Sequence, residues 1–354
     1  MIKNDLVIAV TGLNAGENPQ PGVPFIRLLR RTGFSGKIIG LVYDAYESGI
    51  YAPDLADEVY LMPYPSAGGE SILARLKTVL QKTKIDVLVP TLDSELLPYI
   101  SIEERLRELG IRMYLPTREM FMMRDKSRLS EFGKKYKIPV PDEMILSSTK
   151  QIEDVAEKMD MPVMVKGRFY EAYQAENEED IEKYFEKINN KWGLPIIIQQ
   201  FMKGEEYNVV AIGDGKGNIT CQIPIKKVVV TEKGKGFAAV VINDLKLTHF
   251  TQKIIRALKW RGPLELEILK SAEDQKYYLL EINPRLPAWI ALTAGAGQNF
   301  PEILTRLAIG EKIKPITKYK VGTLFIRHNE DIILDIGTVG KLTATGTLHN
   351  LRRN

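Results

Sequence analysis

The stretch YYLLEINPRLPAW, residues 277–289, begins as an apolar run and ends in a carboxylate, an amide and a guanidinium: Glu281, Asn283 and Arg285. Glu281 and Asn283 are two apart, so in a strand they face the same side. Pro284 marks the strand's expected end. LELEILK carries Glu265 and Glu267 at the same spacing. If the two stretches pair, Glu267, Glu281 and Asn283 converge. Two carboxylates and an amide oxygen are hard ligands suited to Mg²⁺, which binds one or two carboxylates together with nucleotide phosphates. Without a cation, carboxylates this close repel and one tends to protonate. The pattern alone also fits two strand ends with incidental acids.

Cations occur in places that suit phosphate. VMVKG puts Lys166 at the end of a short apolar strand, and RDKSRLSEFGKKYKIPVP puts Lys126 at a helix start. A cation is disfavoured at that end of the helix dipole unless an anion binds there. Each lysine taken singly also fits a solvated side chain. PIIIQQFMKGEEYNVV runs from an apolar strand to Gln200, Met202, a turn at Gly204 and then Glu206. This suits an adenine slot with a carboxylate for the ribose hydroxyls, or a plain hairpin with an acidic turn.

The elements that must position these residues follow from periodicity. Over the first ~115 residues strand-like and helix-like stretches alternate, which predicts a parallel sheet covered by helices. Residues 44–66 read as an irregular crossover, and IRMYLPT as a fourth strand. A small α+β unit follows, with MPVMVKGRFYEAYQAEN as two short strands. From 195 strands dominate; GPLELEILKS and QKYYLLEINPR read as a hairpin, PEILTRLAI as a helix, and the tail as strand-rich. The expected domains are 1–118, 119–190 and 191–354. The 354 residues are 44% hydrophobic and 27% charged, with a net charge of +4 and no basic block, so nucleic acid is not expected as a partner. The single cysteine, Cys221, suits a reducing, cytoplasmic location. No run of about 18 apolar residues predicts a membrane span, and MIKNDLVIAVTG reads as a first strand, not a signal peptide.

Taken in order, these pieces resemble the ATP-grasp superfamily, in its carbamoyl-phosphate-synthase-like and carboxylate–amine ligase branch. EINPR with the acid at Glu267 is the most specific element, and GAGQNFPEILTRLAIGE resembles the family's following helix. The resemblance covers nearly the whole chain: a Rossmann-like α/β domain, a lid subdomain and a larger C-terminal subdomain, in an α/β and α+β fold. It implies ATP with Mg²⁺, or Mn²⁺ in its place. It implies that Lys126 and Lys166 hold phosphates, that Gln200 and Met202 meet adenine, that Glu206 holds ribose, and that Glu267, Glu281 and Asn283 hold the metal. Arg285 would stabilise the transferring phosphoryl group or an acyl phosphate. The implied reaction joins a small-molecule or peptide carboxylate to an amine, or less often a thiol. A homodimer is a common state among such proteins.

One departure stands out. Many members have a glycine-rich loop after the second lysine, whereas KGRFYEAYQAENEED holds only Gly167. Backbone N–H groups cradle phosphate where glycines let the chain curl. Arg168 could cover the phosphates instead, or the turn TEKGKGF, with Lys233 and the candidate catalytic Lys235, could close the site from the other side. A third reading is a non-catalytic ATP-binding module. A separate alternative for the function is a carbamoyl-phosphate-synthase-like enzyme that uses bicarbonate as its carboxylate. The loop VTGLNAGENPQPG is not G-x-G-x-x-G, which speaks against a dinucleotide role; Thr11, Asn14 and Asn18 are assigned to substrate or to a plain turn. Asp93 and Glu95 are expected to face the crevice, and Trp289 to be core.

Overall fold

The computed structural model describes residues 2–16, 19–52, 54–168, 171–231 and 236–349. Among them the chain forms three sheets. Strands β1 (Val7–Val10), β2 (Lys37–Val42), β3 (Glu58–Leu61) and β4 (Val87–Val89) are parallel, in the order β3-β2-β1-β4. Successive residues of β1 and β2 feed opposite cores. Ile8, Val10 and Ile38 pack with Phe25 and Ile26 of the helix Gly22–Arg31. Ala9, Ile39 and Leu41 pack with Leu73, Leu76, Leu96 and Tyr99 of the helices Gly68–Leu80 and Asp93–Ser101. Each large apolar side chain so buried contributes about 1.5–3 kcal/mol. β3 lies inside the segment read as an irregular crossover. The expected strand at 111–117 is reduced to one bridge between Val87 and Arg112.

The second sheet is antiparallel: β5 (Glu143–Leu146), β6 (Val163–Gly167), β7 (Ala172–Ala175) and β8 (Ile196–Gln200), in the order β5-β8-β6-β7. Val163, Val165, Ile196 and Ile198 pack on Ile181, Phe185 and Ile188 of the helix Glu178–Trp192. The alternate residues, Met164, Lys166, Ile197 and Gln199, therefore face the other way. Because β8 completes this sheet, the small unit extends to about residue 200, and the expected boundary at 190 moves.

The third sheet comprises β9 (Gly204–Asp214), β10 (Ile219–Val230), β11 (Gly236–Val241), β12 (Arg261–Ser271), β13 (Tyr277–Asn283) and β14 (Leu324–Ile326). It is antiparallel, in the order β13-β12-β9-β10-β11-β14. The helix Leu245–Leu258 and the short helix Leu129–Tyr136 cover one face. The other face joins the core of the first sheet through Val210, Ile212, Ile223 and Ile225. The expected helix at 301–309 forms over Phe300–Ala308. The tail corrects the strand-rich reading: a helix, Ile336–Thr345, is capped by Asp335, and β15 (Thr347–His349) then pairs antiparallel with β3. The chain's end thus returns to the first sheet, so residues 191–354 do not form one unit. No helix among the described residues is long and apolar enough to cross a membrane.

Glu95 ties the strand ends together. It sits in the first turn of the helix that follows β4, is fully buried, and accepts the backbone N–H groups of Thr91 at 2.6 Å and Leu92 at 2.8 Å. The hydroxyls of Thr11, just after β1, and Tyr43, just after β2, also donate to it. Glu95 is therefore an internal anchor and not a crevice residue, and Thr11 is held by it. Asn14 Oδ1 accepts the Gly16 N–H at 3.1 Å within its own loop, and Asn18 lies outside the described residues.

Burial outweighs these hydrogen bonds and pushes the Glu95 carboxyl up to about 7. Between the ordinary carboxyl value and that point the folded protein holds a proton that the unfolded chain has released. This group's contribution to stability is therefore present at low pH and lost as pH rises through the interval. Urea titrations should show the stability difference between wild type and Glu95→Gln changing by about 2–3 kcal/mol between pH 4.5 and pH 8, with the wild type losing ground. A difference that stays flat would mean that Glu95 keeps one charge state.

Candidate active site

Strand pairing assembles the acids. β12 and β13 set Glu267 opposite Glu281 and Glu265 opposite Asn283, with a register shift just after Glu267. On its other side, β12 sets Glu267 opposite Asn208 of β9. Asn283 Nδ2 donates to Glu267 Oε1 at 3.2 Å. Lys126 Nζ lies 3.0 Å from Glu281 Oε1. β13 ends at Asn283, as Pro284 requires, and the chain then turns Arg285 back across the site. Arg285 Nε donates to Asp93 Oδ2 at 2.6 Å and Nη1 to Glu265 Oε2 at 3.4 Å. Glu265 also accepts Asn208 Nδ2 at 2.9 Å and Trp289 Nε1 at 2.8 Å. Trp289 is core, as expected, and is also a donor to this carboxylate.

The electrostatics follow from crowding like charges in a partly dry place. Burial and the neighbouring charges of Glu281 and Glu265 push the Glu267 carboxyl upward, against the pull of Lys227 and Lys126. Burial and the charge of Lys126 lower Lys166. For Arg285, burial opposes the charge, but Asp93 and Glu265 outweigh it and hold the guanidinium protonated well above its ordinary value. Asp93 is the converse: burial raises it, and Arg285 and Arg124 bring it below its usual range.

The candidate nucleotide residues divide between a small pocket and exposed positions. Lys126, Lys166, Glu143 and Gln199 line one small pocket with Ile197 and Leu280. Lys166 Nζ donates to Gln199 Oε1 at 2.6 Å. Gln200 requires a correction: it lies on the opposite, exposed side of β8, and strand parity gives the pocket position to Gln199. Met202 sits partly buried in the turn before β9. Glu206, on β9, is exposed and pairs with Lys227 at 3.0 Å. Lys227 is also close enough to Glu267 for the two charges to interact, so it links the ribose candidate to the metal candidates. Arg168 is held by Asp125, with its Nε at 3.1 Å. Asp125 in turn caps the Lys126 turn by accepting the Ser127 N–H at 3.0 Å. Only residues 168–171 connect β6 to β7. Lys235 and Lys233 lie outside the described residues.

Lys126, Lys166, Glu267, Glu281, Asn283 and Arg285 are thus linked by contacts and charge interactions: Lys126 with Glu281, Asn283 with Glu267, Lys166 with Glu281 and Glu267, and Arg285 with Glu267. Glu206 borders this group through Lys227. Sequence reasoning missed Lys227, Asp125, Arg124 and Gln199. The triplet Arg124-Asp125-Lys126 was a signal for the second and third of these, because three charges before a helix need partners.

Residues 194–328 match a family described as ATP-grasp in the biosynthetic pathway with Ter operon. The biotin carboxylase domain of the 2-oxoglutarate carboxylase of Hydrogenobacter thermophilus, solved with MgADP and bicarbonate, is similar with a TM-score of 0.68 at 16% identity, over 86% of this chain and 70% of that one. The L-amino acid ligase of Bacillus licheniformis is similar with a TM-score of 0.65 at 14% identity, over 87% and 75%. The chain has the ATP-grasp fold. It is also 24% identical over 295 residues to the N-terminal section of the carbamoyl phosphate synthase large chain of Methanopyrus kandleri. That match covers 77% of this chain and 51% of the relative, so the chain spans about half the length of that curated protein.

The donors of this ATP-grasp crevice suit a divalent cation that also takes phosphate oxygens. Among the described residues no group of three or more His, Cys, Asp or Glu side chains forms a ready metal cage. Glu267, Glu281 and the Asn283 amide form an incomplete oxygen donor set of the kind that suits Mg²⁺ together with phosphate oxygens. The upward shift of Glu267, caused by burial and then by the charges of Glu281 and Glu265, is the second sign of fit, since a cation there would offset both.

The Asp93–Arg285 pair spans the first and third sheets. Its side chains are 25% and 22% exposed, between the surface and the fully buried case. Surface pairs contribute ~0–1 kcal/mol, and breaking a buried one costs ~3–5 kcal/mol. Asp93→Asn should cost about 2 kcal/mol in urea unfolding. A loss within about 0.5 kcal/mol of zero would show that the pair is solvated.

Proposed function

We propose that this protein is an ATP-dependent ligase that activates a carboxylate as an acyl phosphate. The observation that carries the reading is that two lysines, a carboxylate–carboxylate–amide set and the Arg285 guanidinium lie close enough to interact. A carboxylate oxygen attacks the γ-phosphorus of ATP, the bond to the bridging oxygen breaks, and ADP leaves with the electron pair. An amine nitrogen then attacks the acyl carbon, phosphate leaves, and the nitrogen loses a proton. Lys126 and Lys166 bind and orient phosphate oxygens, and Gln199 fixes Lys166 between turnovers. Arg285, held by Asp93 and Glu265, meets the charge that develops on the transferring group. Glu267, Glu281 and Asn283 would hold Mg²⁺ or Mn²⁺, which neutralises phosphate charge when bound. This chemistry needs no nucleophilic side chain, because it comes from alignment and charge neutralisation. Its use of ATP suits the cytoplasm.

Two features bear on the substrates. The connection of only four residues between β6 and β7 leaves little chain to close over the phosphates, which favours an open site and a larger acceptor such as a peptide. The similarity to a biotin carboxylase domain solved with bicarbonate favours bicarbonate as an alternative carboxylate.

ADP release from MgATP, measured against pooled carboxylates, bicarbonate, amines and peptides, tests the proposal. Acceptor-dependent release is expected, reduced at least about a hundredfold in Glu281→Gln. Tight ATP binding with no release from any pool would instead support a non-catalytic module.

A further inference from the structure

A second pocket lies where the first sheet's helix Gly22–Arg31 meets the segment after Arg285 and the end of β14. Its cavity volume is ≈ 220 Å³, smaller than a drug-sized ligand site and enough for a small organic anion. Three guanidiniums line it: Arg27, Arg31 and Arg327. Pro24, Ala288 and Ala291 supply part of its apolar wall. Arg27 and Arg31 are one helical turn apart on the same face. Their sources differ in chain position from Arg327 by nearly 300 residues, so folding, not local sequence, brings the three charges together.

Among the described residues the compensation is thin. Arg27 Nε has Asp54 Oδ2 at 3.2 Å, in a pair about half exposed on each side. No ion pair engages Arg31 or Arg327 among the described residues. Arg327 Nη2 donates to the Gly236 carbonyl oxygen at 3.4 Å, and its guanidinium sits over the Phe325 ring, 5.9 Å from the centroid. Burial lowers its pKa, with no carboxylate to offset the effect. The helix dipole accounts for a cation at Arg31, in the last turn, but not for Arg327. A concave site with three forked donors and one exposed carboxylate beside it calls for negative charge from a ligand.

We infer that this pocket binds a small organic dianion, a phosphate monoester or a dicarboxylate, with its charged groups on Arg31 and Arg327 and its carbon body against Pro24, Ala288 and Ala291. The inference goes beyond the ligase reading and does not depend on it.

Calorimetric titration of the full chain without ATP, using glycerol phosphate and glutarate at constant ionic strength, tests the inference. Saturable binding of at least one probe is expected, weakened about tenfold or more in both Arg31→Gln and Arg327→Gln, as the loss of one charge-assisted contact implies. Arg31 is exposed at a helix end, so its variant keeps the fold even if Arg327→Gln does not. No heat beyond that of sodium chloride, or equal affinity in Arg31→Gln, overturns the inference. Incubation of the bound probe with MgATP then separates two sources of the same chemistry. A probe that is consumed is a substrate of this site, and a probe recovered intact marks an effector.

Discussion

Like charges brought together by strand pairing are the constraint on which this structure turns. Antiparallel register sets Glu267 against Glu281, with Glu265 two residues away on the same side of β12. Three carboxylates in a partly dry crevice repel, and the strands cannot slip to relieve them without turning their apolar partners into water. Each neighbouring cation answers one of the acids. Lys126 meets Glu281, Lys227 lies near Glu267, and Arg285 meets Glu265. Glu267 is buried beside Glu281 and Glu265, and its proton affinity rises accordingly.

These answers come from different parts of the chain, which is why the fold needs three sheets around one crevice. Lys126 arrives on a turn capped by Asp125, and Asp125 is itself held by Arg168 at the end of the small sheet. Lys166 arrives on β6 because the other face of that sheet is committed to the core under the helix Glu178–Trp192. Arg285 is fixed from the first sheet by Asp93, which begins the helix after β4. Glu95, two residues further on, anchors that helix to the ends of β1, β2 and β4. The position of the guanidinium over the crevice is therefore linked to the internal order of the first domain.

Much of this was legible in the sequence where a period of two was unbroken. LELEILK and YYLLEINPR gave the hairpin, the shared face of Glu267, Glu281 and Asn283, and the strand end at Pro284. The same rule failed at QQ, since an apolar run buried on one face does not show which glutamine is odd and which is even; packing under β8 selects Gln199. β3 escaped notice because four residues between polar turns carry too little pattern. The helix Ile336–Thr345 was hidden by its glycines and threonines, which are poor helix formers, and is held by the Asp335 cap and by Val339 and Leu342 in the core. Glu95 read as a crevice acid because sequence shows a charge after a strand but not the hydroxyls of Thr11 and Tyr43 that bury it.

The most direct test of the central claim is a titration of Mn²⁺ into wild type and Glu267→Gln in the presence of ADP, followed by loss of the free-ion paramagnetic resonance signal. The account predicts one strong site in the wild type, weakened about tenfold or more in the variant. It also predicts that wild-type affinity falls as pH is lowered through neutrality, because protonating Glu267 removes a ligand. Equal affinity and stoichiometry in the two proteins would contradict it, and would leave the paired carboxylates without the cation that their arrangement requires.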